Sequence, residues 1–284
     1  MTLSEPGWRG FAHYLTVESR ANGVFVGRCM PGRGERAFGG HLVAHALVVA
    51  GSQASDGHVP LSLHTHFLAA VDSREEVEYR AAALRQGRSF EHWQIDAFQS
   101  GTQVMSSVVA LHRPEPSPEH QVVPLEDVDP TSLPRVAASP HKGANNEIRA
   151  GLELRRGRHW QPGDPSPVPY QHMWIRCVED LPSTHLLDWA VLLWCSDLEM
   201  TGTADLPHRE GVAHRVAASL DHVVYFHEPI DPTDWLLFEQ VSPSLHGGRA
   251  LTTGRIFDRT GRLSLSVSQQ SLLRLTPEVF PPVW

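Results

Sequence analysis

SLHTHF at residues 62–67 is answered by SLDHVVYF at 219–226, with the two Ser-Leu pairs 220 − 63 = 157 apart. Further on, GTQVMSSVVALHR (101–113) is answered by GRLSLSVSQQSLLR (261–274). Here Gly101 and Gly261 stand 160 apart and Arg113 and Arg274 stand 161 apart. So small a drift reads as two copies of one unit, which can close on each other and leave a cleft at the seam. At the first offset Asp197 stands against Gly40, and at the later offsets Gln269 stands against Val109 or Val108. The comparison therefore expects one working site per chain, in the copy that carries the acid and the amide.

Working outward, the first unit begins with two strand-like runs, His13–Glu18 and Gly23–Arg28, joined at Ala21-Asn22-Gly23. The glycine-rich PGRGERAFGG (31–40) leads into His41–Gln53, where Leu42, Ala46 and Val49 recur at helical spacing. Strand-like runs follow at Leu61–Ala69, Glu75–Leu84, Phe90–Phe98 and Gln103–His112. One long helix followed by several strands implies an antiparallel sheet wrapped around that helix, an α+β arrangement. Residues 114–150, rich in Pro, Ser and Asp, read as the connection between the copies. The second unit repeats the order: strands near Leu152–Arg156 and His172–Cys177, then a helix over Thr184–Glu199 with Ser183 as its expected cap. Its later strands are expected at Val216–Phe226, Trp235–Val241, Ala250–Phe257 and Leu263–Leu273, and Gln161–Pro169 reads as a surface loop. The division is 1–113, a 114–150 linker and 151–284.

The 284 residues carry 24 Lys and Arg against 32 Asp and Glu, a net charge of −8 that gives no electrostatic footprint for nucleic acid. Cys29, Cys177 and Cys195 are odd in number and lack C-x-x-C spacing, which argues against a disulfide framework or zinc ribbon and for a reducing, cytoplasmic setting. The most apolar helix, LLDWAVLLW (186–194), is interrupted by Asp188 and is too short for the roughly 20 residues that span a bilayer. The start, MTLSEPGWRGF, has no leader-like pattern.

Two residues break the local pattern. Leu186, Ala190, Leu193 and Trp194 form one apolar helix stripe, and Asp197 continues it. Burial and the negative helix end both disfavour a carboxylate there, which raises its pKa and makes it a stronger base once ionised. In the run from Leu263, odd positions read Leu263, Leu265, Val267, Gln269, while even positions read Ser264, Ser266, Ser268, Gln270. Alternation thus puts the Gln269 amide on the apolar face, where it must find partners. Ser219 precedes Asp221 on one strand face, and no G-x-S-x-G elbow is present. The economical role for Ser219 is to hold a water, with Asp197 taking its proton and Gln269 orienting it. His41 and His45 share a helix face, but HLVAH has Leu42 where a zincin needs Glu, so neither metal nor cofactor is expected. His222 is read as part of the core or the cleft wall.

The runs FGGHLVAHAL (38–47), SLHTHFL (62–68), LRQGRSFEHWQI (84–95), WCSDLEM (194–200), ASLDHVVYFHEP (218–229), DWLLFE (234–239) and SQQSLLR (268–274) resemble the TesB-type acyl-CoA thioesterases. The resemblance implies a double hotdog fold, hydrolysis of acyl-CoA and a catalytic set falling on Asp197, Ser219 and Gln269. It also sets Asp221 aside as a structural neighbour and implies a homodimer or homotetramer. Arg-Pro pairs common in that family are replaced by FLAAV (67–71) and FHEP (226–229), which leaves Arg85, Arg88 and Arg249 as candidates for the CoA phosphates. Gly39 and Gly40 are the expected oxyanion donors at a helix N-terminus. Two rival readings are a hotdog protein that binds acyl thioesters without cleaving them and a hotdog hydratase or dehydratase.

Overall fold

The computed structural model describes residues 9–30, 35–126, 128–136, 151–182, 184–208 and 215–275. In chain order these form α1 (Phe11–Tyr14), β1 (Glu18–Ser19), β2 (Val24–Arg28), α2 (Gly39–Gln53), β3 (Val59–Phe67), β4 (Glu76–Gln86), β5 (Phe90–Gln99) and β6 (Thr102–His112). The second half supplies β7 (Leu152–His159), β8 (Tyr170–Cys177), α3 (His185–Cys195), α4 (Met200–Asp205), β9 (Arg215–Ser219), β10 (Asp221–Phe226), β11 (Leu236–His246), β12 (Arg249–Asp258) and β13 (Leu263–Leu275).

The strands make one sheet in the order β1-β2-β4-β5-β6-β3-β10-β13-β12-β11-β8-β7, with β9 pairing β13 off that path. The halves join where β3 meets β10 antiparallel, with Leu63 opposite Val224. Alternation puts Leu63, Val109, Val224 and Val267 on the concave side, where all are buried. The two long helices lie there side by side and antiparallel. A Cβ on Gly40, near the start of α2, would stand 2.5 Å from the Trp194 carbonyl oxygen, and one on Gly51, near its end, 2.5 Å from Leu186 Cδ1. This is a double hotdog of the α+β class: two antiparallel half-sheets, each wrapped around one helix.

Local structure departs from the sequence reading at three places. The run expected as a strand over His13–Glu18 is a one-turn helix followed by a two-residue strand. Phe11 and Leu15, four apart, are buried at 0% and 2% exposure, and the Phe11 ring meets Trp194 edge-on at 5.1 Å. Helical spacing of two apolar anchors prevails here over strand propensity. The expected helix Thr184–Glu199 stops at Cys195, and Glu199 takes a left-handed backbone (φ 61°) before α4 begins. Thr184 caps α3, its Oγ1 accepting from Leu187 N at 3.4 Å; Ser183 lies outside the described residues. The expected strand Val216–Phe226 divides at Leu220, whose N–H donates to the Gln270 carbonyl while its own carbonyl accepts from Phe67 N.

These breaks change the register between the halves. The helix starts are 185 − 39 = 146 apart, whereas the ends of β3 and β10 are 226 − 67 = 159 apart. The second half therefore holds 159 − 146 = 13 more residues between helix and sheet, and α4, just after Asp197, lies in that stretch. The counterpart of Asp197 is Gly51 (197 − 146), and that of Gly40 is Leu186 (186 − 146), so the pairing of Asp197 with Gly40 as equivalents is corrected. Gly40 is instead the contact partner of Asp197.

The described part of the 114–150 connection is a strap across the outer face of the second half-sheet. Leu125 N donates to Glu239, Glu126 meets His172 at 2.7 Å, and Val128 and Leu133 cover Trp174, Trp235, Leu237 and Phe257. Arg135 joins Arg155 and Arg176 around the buried Glu153 carboxylate, whose pKa these arginines hold down at about 2 against its burial.

Candidate active site

Asp197 stands in the turn just past α3, 7% exposed, and meets the other half of the molecule at the start of α2. The Gly40 N–H donates to its Oδ2 at 2.8 Å. This approach requires glycine: a Cβ on Gly39 would lie 2.9 Å from Asp197 Oδ2 and 3.1 Å from the Phe67 ring, and one on Gly40 would lie 2.5 Å from the Phe38 ring. The carboxylate thus sits between the negative end of one helix and the positive end of another. Burial lifts its pKa from 3.8 to about 7, against the opposing hydrogen bonds from Gln269, Gly40 and Ser219.

β13 brings in Gln269, 1% exposed on the concave face as alternation requires. Its Nε2 donates to Ser219 Oγ at 3.1 Å as well as bonding Asp197. Ser219 ends β9 beside the break at Leu220, opposite Ser271 of β13. Asp221, beyond that break, accepts from Gln270 N at 2.7 Å and serves the sheet. Asp197, Ser219 and Gln269 therefore form one hydrogen-bonded group, reached from three separate elements and closed by Gly39 and Gly40 from the first half.

The arginines divide. Arg249 opens β12 opposite Leu272, three register steps from the Thr252–Gln269 pair and so about 10 Å along the strand. Arg85 is level with Ala110 through His92, and Arg88 lies in the turn before Phe90, itself level with His112. Phe67, beside Asp197, is level with Met105. Arg85 and Arg88 are thus five to seven steps away, roughly 17–23 Å along the sheet, and are not gathered with the other residues. They flank the pseudo-equivalent position, where Gly51, Leu63 and Val109 stand in place of Asp197, His222 and Gln269, and where Leu63 faces Val109 across the ladder.

The sequence puts His222 in the core or the cleft wall without naming its partner. In β10 it alternates with Val224 and Phe226 toward the core, and a lone histidine on that face was the available signal. It is fully buried, and its Nδ1 lies 2.6 Å from Gln269 Oε1. Burial lowers its pKa to about 4, so the ring is neutral. His41 and His45 have another role: each Nε2 lies 2.7 Å from the Tyr14 carbonyl oxygen, which anchors α1 to α2. Among the described residues no group of three or more His, Cys, Asp or Glu is arranged to hold a metal ion.

A raised carboxylate bonded to an amide and a hydroxyl, with no cysteine or serine activated by histidine among them, suits the activation of a water rather than covalent catalysis.

The family profile described as acyl-CoA thioesterase matches residues 151–272, and that of the acyl-CoA thioesterase N-terminal domain matches 28–112. The chain is 29% identical to human acyl-coenzyme A thioesterase 8, over 93% of this chain and 89% of that protein. It is also 29% identical to acyl-CoA thioesterase 2 of Haemophilus influenzae, over 93% and 96%. The crystal structure of an acyl-CoA thioesterase II from Mycobacterium marinum superposes with a TM-score of 0.82 at 28% identity, over 95% of this chain and all of that one. The chain belongs to the TesB-type acyl-CoA thioesterase family.

Proposed function

We propose that this protein hydrolyses fatty acyl-CoA thioesters to free acid and CoA, using a water activated by Asp197. The observation that carries the assignment is the buried Asp197 carboxylate, held near neutrality and bonded to both Gln269 and Ser219. Asp197 takes a proton from the water, and the resulting hydroxide adds to the thioester carbonyl. Collapse of the tetrahedral intermediate breaks the C–S bond, and Asp197 returns its proton to the CoA thiolate. Ser219 and Gln269 position the water. Negative charge on the carbonyl oxygen builds against the first turn of α2, where the Gly40 N–H is engaged with Asp197 and the Gly39 N–H serves the oxyanion.

The catalytic set lies in the 151–284 unit, and the 1–113 unit contributes the glycines. Of the three arginines, Arg249 is nearest along the sheet to the level of Gln269, which supports it as the contact for a CoA phosphate. The free, buried Cys29, Cys177 and Cys195 support a cytoplasmic setting. Exposed Phe90 (49%) and Tyr225 (47%) on the strands support an assembly of two or four copies. A hydratase would pair an acid and a histidine on substrate, whereas His222 stands behind Gln269.

The test is an acyl-CoA panel with a thiol reagent that reports released CoA, run on the wild type and on Asp197→Asn. Release by the wild type and its loss in a folded Asp197→Asn variant are expected. Tight binding with no released CoA, or full activity in the variant, would overturn the assignment.

A further inference from the structure

The Gln269 amide can be seated in two ways, and only one serves Asp197. With Nε2 toward Asp197 and Ser219, it donates to a carboxylate and to a hydroxyl. Turned over, it would point a carbonyl oxygen at the carboxylate. What lies behind the amide decides between them. His222 Nδ1 is 2.6 Å from Gln269 Oε1, and His222 Nε2 is 2.8 Å from Ser196 Oγ, all within a fully buried cluster. A neutral imidazole carries one N–H, so its tautomer and the amide orientation are locked together. Nδ1–H donates to Oε1 and fixes the productive orientation, whereas Nε2–H would leave Nδ1 to accept from the turned amide.

Ser196 stands at the other ring nitrogen. Its Oγ is 2.8 Å from His222 Nε2 and 2.7 Å from the Leu193 carbonyl oxygen, so the hydroxyl can donate to Nε2, or donate to the carbonyl while accepting from Nε2–H. The amide decides between these: with Gln269 Nε2 on Ser219 and Asp197, Oε1 faces His222 Nδ1, so Nδ1 carries the proton and the ring Nε2 accepts from Ser196. Protonating both ring nitrogens is no alternative, because burial disfavours the cation. In the other half Leu63 and Val109 occupy the places of His222 and Gln269, so the histidine and the amide occur together and are replaced together.

We propose that His222 is a positioning residue of the thioesterase, holding the Gln269 amide toward Asp197 and Ser219 through its Nδ1–H, and that the Ser196 hydroxyl holds His222 in that tautomer. This rests on the assignment of Asp197 as the base. His222 acts through Gln269 and reaches no reacting atom. The groups that face Asp197 are the Gly40 N–H from α2, Ser219 from β9 and Gln269 from β13. The other titratable or charged side chains on the packed elements are His41 and His45 on α2, both turned to the Tyr14 carbonyl, then His185, Asp188 and Cys195 on α3, Glu199 on the same turn, Asp221, His222 and Tyr225 on β10, Arg249, Arg255 and Asp258 on β12, and Arg274 on β13.

The experiment compares His222→Leu, His222→Asn and Ser196→Ala with the wild type by kcat and KM across pH, in the full chain with one acyl-CoA. Leu removes the donor, so kcat should fall by about 10–100-fold with KM little changed, the range for partners that orient another active group. Loss of the amide N–H should also move the rising limb of the pH profile to higher pH by about one unit. Asn, whose Nδ2 replaces Nδ1–H, should restore the limb and most of kcat. Ser196→Ala removes one hydroxyl and should move kcat and the limb in the same direction by a smaller amount, which keeps the test open if His222→Leu does not fold. An unmoved limb in both Leu and Ala variants, or equal losses in Leu and Asn, overturns the positioning role. If Asp197→Asn is inactive while all three variants match the wild type, only this inference fails; an active Asp197→Asn removes the assignment beneath it.

Discussion

The backbone N–H of Gly40 donates to Asp197 Oδ2 at 2.8 Å, joining two residues that are 157 apart in the chain. That separation equals the offset between the two Ser-Leu strands, yet the pair are partners across the seam, not counterparts in the repeat. The antiparallel helices explain this: the start of α2 meets the end of α3, and the end of α2 meets the start of α3. One meeting point carries an acid against glycine, and the other carries Gly51 against Leu186. The acid of one unit is therefore completed by the backbone of the other.

The rate should titrate with Asp197. A general base acts only when ionised, and burial places this carboxyl at about 7. kcat/KM should rise about tenfold per pH unit below that value and level above it. A profile that stays flat from pH 5 to pH 8 would show that Asp197 is not the base.

Stability should move the opposite way. The folded pKa of Asp197, about 7, lies above its unfolded 3.8, so the folded form binds the extra proton between those values. The associated stability is fully present below 3.8, is lost as pH rises through 7 and changes no further above it. The difference corresponds to roughly 4 kcal/mol at about 1.4 kcal/mol per pH unit. Asp197→Asn cannot ionise, so its advantage over the wild type in urea melts should grow from pH 4 to pH 7 and then stay constant. An advantage independent of pH would contradict the burial assigned to this group.

Much of this site is legible in the sequence, for physical reasons. Gln269 stands out because strand alternation is strict over Leu263–Gln270, and Asp197 because the helix stripe reaches it. His222 obeys the same alternation, but a buried histidine has many structural uses, and its bond to Gln269 depends on the β10–β13 register, which periodicity does not reveal. The split of Val216–Phe226 arises from pairing: Leu220 bonds to Gln270 and Phe67, neither of them near in sequence. The Gly51 equivalence is hidden because the 13-residue difference lies between helix and sheet, while the recognisable repeats all follow it.

Gly39 and Gly40 should separate activity from folding. In Gly39→Ala the new methyl faces the Asp197 carboxylate and the edge of the Phe67 ring, at 2.9 and 3.1 Å, and both side chains can shift. Activity should fall by more than tenfold while the melting temperature changes little. In Gly40→Ala the methyl meets a backbone oxygen, Trp194 O, at 2.5 Å, which cannot yield without moving α3. That variant should lose about 1–3 kcal/mol of stability as well as activity, the usual cost of overpacking. Equal melting temperatures for the two variants would count against the close approach of the helices.

Placement also ranks the arginines. Arg249 lies about 10 Å along β12 from the level of Gln269; three steps of alternation turn it to the other sheet face, so it meets a CoA from Asp197 only around the open end of the strand. Arg85 and Arg88 lie at the far end of the first half-sheet, beside the apolar pseudo-site. Arg249→Ala should raise KM for acyl-CoA several-fold with kcat nearly unchanged, because a phosphate contact is made equally in ground and transition states. Salt should weaken binding less in that variant than in the wild type, since one screened charge pair is gone. The double variant Arg85→Ala, Arg88→Ala should keep the wild-type KM if each chain works alone. A raised KM in the double variant would instead place those arginines against CoA bound at the site of a neighbouring copy, and mixing the double variant with Asp197→Asn protein would then restore wild-type KM in the mixed assembly.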